Sequence, residues 1–242
     1  MVTVSECGTH AVTGAQAGPV REGERTLAPG ALDCLQDGML LLADAGLYSW
    51  QLWQQARERG AHLCWRIGAS VELPLVRALE DGSYLALLYA PGLHAPTRRR
   101  LLHSARAGHP LDDGRAQLAR VVEYTVPNRN PDGELIVLAT DLLDPAHLPA
   151  SELAWAYHQR WEHETALAEM KSQLLGPAAV LRSKSPELVE QEIYGLLLAH
   201  YTIRSFMTRA ADQAELDPGR LSFLRAVRIT RRQVTGHAAF SP

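Results

Sequence analysis

Tyr157, Arg160, Glu164 and Lys171 stand at i, i+3, i+7 and i+14 in the stretch Tyr157-His-Gln-Arg-Trp-Glu-His-Glu-Thr-Ala-Leu-Ala-Glu-Met-Lys171. On a helix that turns by roughly 100° per residue, those four side chains fall within an arc of about 60°. One carboxylate is then flanked by two cations and a phenol along one stripe. A carboxylate is a hard oxygen ligand that suits a divalent metal, while Arg and Lys suit phosphate oxygens. The chemistry this combination suggests is metal-assisted attack on a nucleic-acid backbone. The plainer alternative for Glu164 is a surface carboxylate paired with Arg160, worth a few tenths of a kcal/mol.

A second candidate is Asp44, which follows the apolar run Met39-Leu-Leu-Leu-Ala43. A buried strand over 39–43 would place this carboxylate at its carboxyl end, where open α/β folds hold ligands. The alternative is an ordinary helix-capping Asp. Trp155 and Trp161 read as packing residues, and His10, His163 and His200 show no metal-ligand spacing.

The elements that must position these groups follow from periodicity. Residues 3–7 and 11–13 read as a hairpin around Gly8-Thr9. Helices are expected over 24–35, weakened by Pro29-Gly30, and over 48–59, stopped by Gly60. A strand is expected over 62–67. From 70 to 126 the chain reads as short strands (84–89, 118–126) between turn-rich stretches. A turn cluster over 128–133 and a strand over 134–140 follow. Ser151 can cap a single signature helix that Gly176-Pro177 ends. Ser185-Pro186 opens a long helix to about 211, apolar on several faces and so expected at the centre of the core. A last helix is read over 221–232.

Composition restricts the function classes. The chain has 242 residues, 46% apolar and 21% charged, which suits a globular protein with a full core. No apolar run reaches membrane-spanning length, so no membrane partner is expected and a cytoplasmic location is the default. Cys7, Cys34 and Cys64 lack metal-ligand spacing and read as reduced. A net charge of -3 gives no general affinity for nucleic acid. Binding needs a local basic surface. Two candidates are Arg98-Arg99-Arg100 with Arg106, and Arg225, Arg228, Arg231 and Arg232. A solvated face is the ordinary reading of each. Only Lys171 and Lys184 of the 24 basic residues are lysine, a bias that a GC-rich genome would also give.

The pattern Y-x2-R-x3-E-x6-K from Tyr157 to Lys171 resembles the signature of DDE transposases of the insertion-sequence-four family. Leu181-Arg-Ser-Lys-Ser-Pro186 resembles the family's next segment. Leu41-Leu-Ala-Asp44-Ala-Gly-Leu-Tyr48 resembles the strand that ends in its second catalytic Asp, although Ala45 and Leu47 stand where the family often has Arg and Phe. The resemblance runs from Val4 to about Val234. It implies an α/β, RNase H-like core with a β-rich insertion before the helix that carries the last Glu. The expected organisation is 1–69 as partial core with the second Asp, 70–133 as insertion, 134–234 as the remaining core and 235–242 as a tail.

The resemblance also implies the site. Asp44 and Glu164 become catalytic metal ligands for two Mg²⁺ or Mn²⁺ ions. Tyr157, Arg160 and Lys171 become DNA contacts. The partners implied are double-stranded DNA, at element ends and target, and a homodimer or a mixed dimer with full-length transposase. A bacterial protein of this kind works at the nucleoid. The family uses a third carboxylate, an Asp on an early core strand upstream of the segment resembling 4–13. Glu6 is the only carboxylate nearby and is not expected to replace it. The chain therefore reads as a truncated transposase or the downstream product of a split frame, inactive alone. The alternatives are a non-catalytic remnant that inhibits full-length transposase, and a different RNase H-like nuclease.

Overall fold

The structure is a computed structural model that describes residues 1–126, 133–176 and 180–236. Most of the expected turn cluster over 128–133, Pro177 and the tail from 237 onward lie outside those residues. In chain order the elements are β1 (Val2–Ser5), β2 (Val12–Gln16), α1 (Glu24–Ala31), β3 (Leu40–Ala43), α2 (Trp50–Glu58), β4 (His62–Arg66), β5 (Leu75–Ala78), β6 (Tyr84–Tyr89), α3 (Ala95–Arg106), β7 (Ala116–Val126), β8 (Glu134–Thr140), α4 (Ala150–His158), α5 (Trp161–Ala168), α6 (Pro186–Gln213) and α7 (Phe223–Gly236). They divide into two compact units. One joins residues 1–22 to 159–242, and the other is 23–158.

The unit over 23–158 is built on a six-stranded mixed sheet, ordered β3-β4-β8-β7-β6-β5. Strands β3 and β4 run parallel, and every other pair is antiparallel. The parallel pair needs a crossover, which α2 supplies. Ser49 starts that helix by accepting a hydrogen bond from the Leu52 amide at 3.1 Å. Gly60, at φ 82°, ends it in a conformation that suits glycine.

Alternation along β4 sends its neighbours to opposite faces. Trp65 meets Trp53 of α2 at 6.0 Å between ring centres on one face, an aromatic contact worth about 1 kcal/mol beyond burial. Cys64 joins Val122, Ile136, Leu138, Leu153 and Tyr157 on the other, beneath α4. The sheet is therefore covered by helices on both faces, a mixed α/β layer architecture.

One expectation over this unit is corrected. The stretch from 70 to 126 contains a helix, α3, in addition to strands. Its start is irregular in sequence because His94 offers no side-chain cap and Pro96 sits in the first turn. The strands of that stretch also continue one sheet with β3 and β4.

In the other unit, β1 and β2 form the expected hairpin. Glu6 accepts hydrogen bonds from the Gly8 amide at 3.3 Å and the Thr9 amide at 2.8 Å, so this carboxylate is spent on the turn. Ser185 caps α6 through the Leu188 amide at 3.3 Å. The expectation that α6 is central to the core is corrected. It buries one face only, with Leu197, His200, Ile203, Arg204, Met207 and Ala211. Leu188, Leu198, Tyr201 and Phe206 are exposed.

Candidate functional site

Asp44 sits one residue past β3 with extended backbone, and opens a 3₁₀ turn over Ala45–Leu47. Its Oδ1 accepts from the Ala45 amide at 2.7 Å. Its main-chain oxygen accepts from the indole N–H of Trp65 at 3.0 Å. Trp65 is 1% exposed and wedged between Tyr48 and Trp53. An immobile ring thus fixes the backbone that carries the carboxylate.

The same sheet end gathers other polar groups. Arg66 ends β4, which is parallel to β3, and Glu134 begins the antiparallel β8, so all three lie at one end of the sheet. Arg66 Nη2 donates to Glu134 Oε1 at 2.6 Å. Burial disfavours its charge, but Glu134 outweighs this, and Tyr157 and Asp44 add to the effect, holding the guanidinium above its ordinary value. Tyr157 ends α4 with its ring 6% exposed in the core cluster. Asp44, Arg66, Glu134 and Tyr157 therefore share one electrostatic neighbourhood. Sequence reading missed Arg66. Its signal was position: it is the last residue of the strand after Asp44's strand, where inward polar groups of α/β sheets collect.

The single signature helix is corrected. Gln159 and Arg160 interrupt it between α4 and α5, and residues 169–174 form a π-helical turn. Tyr157 belongs to one unit, and Arg160, Glu164 and Lys171 to the other. A π turn advances more residues per revolution, so Lys171 leaves the even 100° stripe. Within its unit, Arg160 Nη1 lies 3.6 Å from Glu164 Oε1, whose side chain is 48% exposed. Lys171 is exposed.

Ser151 lies inside α4. The helix start is held instead by Asp81, which accepts from the Ala150 amide at 2.9 Å. Trp155 and Trp161, expected to pack, are 68% and 48% exposed.

The three histidines have partners that periodicity could not show. His163 lies 2.8 Å from Ser5 Oγ and ties α5 to β1. Burial first, and then Arg160, hold its pKa below the ordinary value, which favours the neutral ring. His200 Nε2 lies 3.1 Å from Glu169 Oε2, and Arg204 Nε donates to that oxygen at 3.0 Å while its Nη2 bonds Oε1. His10, at φ 58°, lies beside the same carboxylate. Burial pushes the Glu169 carboxyl up, but His10, His200 and Arg204 together outweigh it and hold its pKa at about 2. Sequence reading missed Glu169 because it falls within the signature but faces away from the stripe.

Among the described residues, no three His, Cys, Asp or Glu side chains converge as a metal group. The donor types of Asp44 and Glu164 do suit a hard divalent ion.

The chain thus carries a strand-terminal Asp at one end of a mixed sheet and, later in sequence, a Tyr-Arg-Glu-Lys series. The chain belongs to the Transposase DDE domain family, which matches residues 2–202. It is similar to the transposase InsG for insertion sequence element IS4 of Escherichia coli (strain K12), at 30% identity over 247 residues. That similarity covers 100% of this chain and 52% of the relative, so the chain spans about half of the relative's length. No helix among the described residues is long and apolar enough to cross a membrane.

Proposed function

We propose that this chain contributes two carboxylates, Asp44 and Glu164, to a DDE site that cuts and rejoins DNA at the ends of a transposable element. The observation that carries the reading is the pairing of the family match with the placement of Asp44, held rigidly at the carboxyl end of a strand. An RNase H-like core is the finer fold reading. The mixed sheet with helices on both faces supports it.

Asp44 and Glu164 would hold Mg²⁺ or Mn²⁺. When bound, such ions lower the pKa of a water or 3′-hydroxyl and stabilise the leaving oxygen. The chain's own groups position the DNA. Arg160 and Lys171 offer cations to phosphate oxygens, contacts that fix register and carry no sequence information. Tyr157 stabilises the sheet end from within the core. Arg66 pairs with Glu134 and places a positive charge in the neighbourhood of Asp44.

DDE chemistry uses three carboxylates, and the matched motifs here supply two. The 242-residue polypeptide is expected not to nick DNA by itself. The check is a Mg²⁺ or Mn²⁺ nicking assay on supercoiled plasmid that carries the DNA flanking its coding sequence. Robust nicking that disappears in Glu164→Ala would overturn this expectation and keep the site. A second reading rests on the same count of carboxylates. Here the chain binds DNA or a full-length transposase and inhibits it through mixed dimers. Reduced transposition on co-expression with an active full-length relative favours this reading, and unchanged transposition removes it.

A further inference from the structure

Helix α7 carries Arg225, Arg228, Arg231 and Arg232 and no Asp or Glu. It lies beyond residues 2–202, so the family match assigns it no role. Part of its apolar surface is packed, while Leu224, Ile229 and Val234 are exposed. Phe223 and Val227 are buried against Ile203 and Met207, with Ala226 packed beside them. At roughly 100° per residue, Arg225, Arg228 and Arg232 fall within about 60° of one another, centred about 150° from Phe223 and Val227. All three are exposed.

We infer that this arginine face of α7 is a docking surface for the phosphodiester backbone of double-stranded DNA. The inference rests on the reading that the chain acts on DNA, and extends it to a named surface. Three same-sign side chains span about 10 Å along the helix. Duplex DNA carries one negative charge per about 1.7 Å of its axis, so several phosphates lie within that reach. Arginine suits phosphate because its planar fork can donate two hydrogen bonds to one group.

The position of the helix supports the same occupant. Arg231 Nη2 donates to the Leu174 carbonyl oxygen at 2.9 Å, in the π turn that also carries Lys171. The basic face thus belongs to the same unit as Lys171 and is tied to its element. A lipid surface is a poorer fit, because the main apolar side of α7 is turned into the protein and membrane-surface helices insert theirs.

The test is fluorescence anisotropy of a labelled 30-base-pair duplex with the 242-residue protein across a salt series. Wild type is compared with the triple variants R225Q/R228Q/R232Q and R225K/R228K/R232K. Gln and Lys have helix propensities close to Arg, so α7 is retained in both triples. The glutamine triple is expected to bind at least about ten-fold more weakly near 50 mM salt, with the log–log salt slope reduced by about 3. The lysine triple is expected to stay near wild type.

Equal binding and slope for wild type and the glutamine triple would overturn the inference and leave the DNA reading standing. A lysine triple as weak as the glutamine triple would also overturn it, since charge would not be the cause. No duplex binding by wild type at low salt would remove the DNA reading and the inference together. Wild-type binding to vesicles of phosphatidylserine and phosphatidylcholine, with none to duplex, would assign the face to membranes instead.

Discussion

Replacing Asp81 by alanine is expected to destabilise the 23–158 unit by about 3–5 kcal/mol, because it strands a buried charge. Arg120 is 0% exposed. Its Nε donates to Ser83 Oγ at 2.8 Å, its Nη1 to the Leu148 carbonyl at 2.6 Å, and its Nη2 to Asp81. Asp81 also accepts from the Ala150 amide that starts α4. The substitution removes the counter-charge and the helix start in one step. Burial pushes the Asp81 carboxyl up slightly, but Ser83, the Ala150 amide and Arg120 outweigh it and hold its pKa at about 2. Urea unfolding followed by tryptophan fluorescence reads the effect, since Trp53 and Trp65 lie in this unit. A loss below 1 kcal/mol would show that Arg120 finds another partner or water.

Glu169→Ala is expected to cost the other unit a similar amount, about 3–5 kcal/mol. Arg204 and His200 are 3% and 0% exposed and both converge on this carboxylate. Arg204 keeps only weaker company when it is removed, the face of Phe223 at 5.3 Å and the ring of His10. The pH dependence has a definite sign. Glu169 titrates near 2 when folded, against an ordinary 4.5. Its contribution is therefore complete above about pH 4.5 and lost as pH falls towards 2, on the order of 3 kcal/mol in all. Glu169→Gln should flatten that acid limb in pH-dependent unfolding. An unchanged acid limb would mean that Glu169 is not held in the ionised form.

The strand before Asp44 was legible in the sequence for a physical reason: the short apolar run Met39-Leu-Leu-Leu-Ala43 gives β3, and Asp44 emerges at its end. The expectation that this strand is buried is corrected, because β3 is an edge strand with Leu40, Leu41 and Leu42 half-buried and Met39 41% exposed. The spacing from Tyr157 to Lys171 is plain in the sequence, but the break at Gln159–Arg160 and the π turn take these residues off one even stripe. Ser185 and Gly60 act on their nearest neighbours, and both were placed correctly as helix boundaries.

What was missed is non-local. The pairing of Asp81 with Arg120 joins a turn to a strand 39 residues away. The pairing of His10 with Glu169 spans most of the chain. Neither leaves a trace in periodicity. The break at Gln159–Arg160 and the π turn at 169–174 were hidden because every residue there tolerates a helix. Helix α3 was hidden for the opposite reason: Pro91-Gly92 marks a turn before it, Pro96 sits in its first turn, and that turn lacks a side-chain cap. Apolar residues on several faces of α6 suggested a central helix, but Leu198, Tyr201 and Phe206 turn outward.

The central proposal is that Asp44 and Glu164 are each ligands for a divalent ion. Mn²⁺ binding to the 242-residue protein, followed by electron paramagnetic resonance, tests it most directly. Two carboxylates without a third should hold the ion weakly, with a Kd on the order of millimolar. The account predicts that Asp44→Asn and Glu164→Gln each weaken this binding. Mn²⁺ binding that is unchanged in both variants would contradict it.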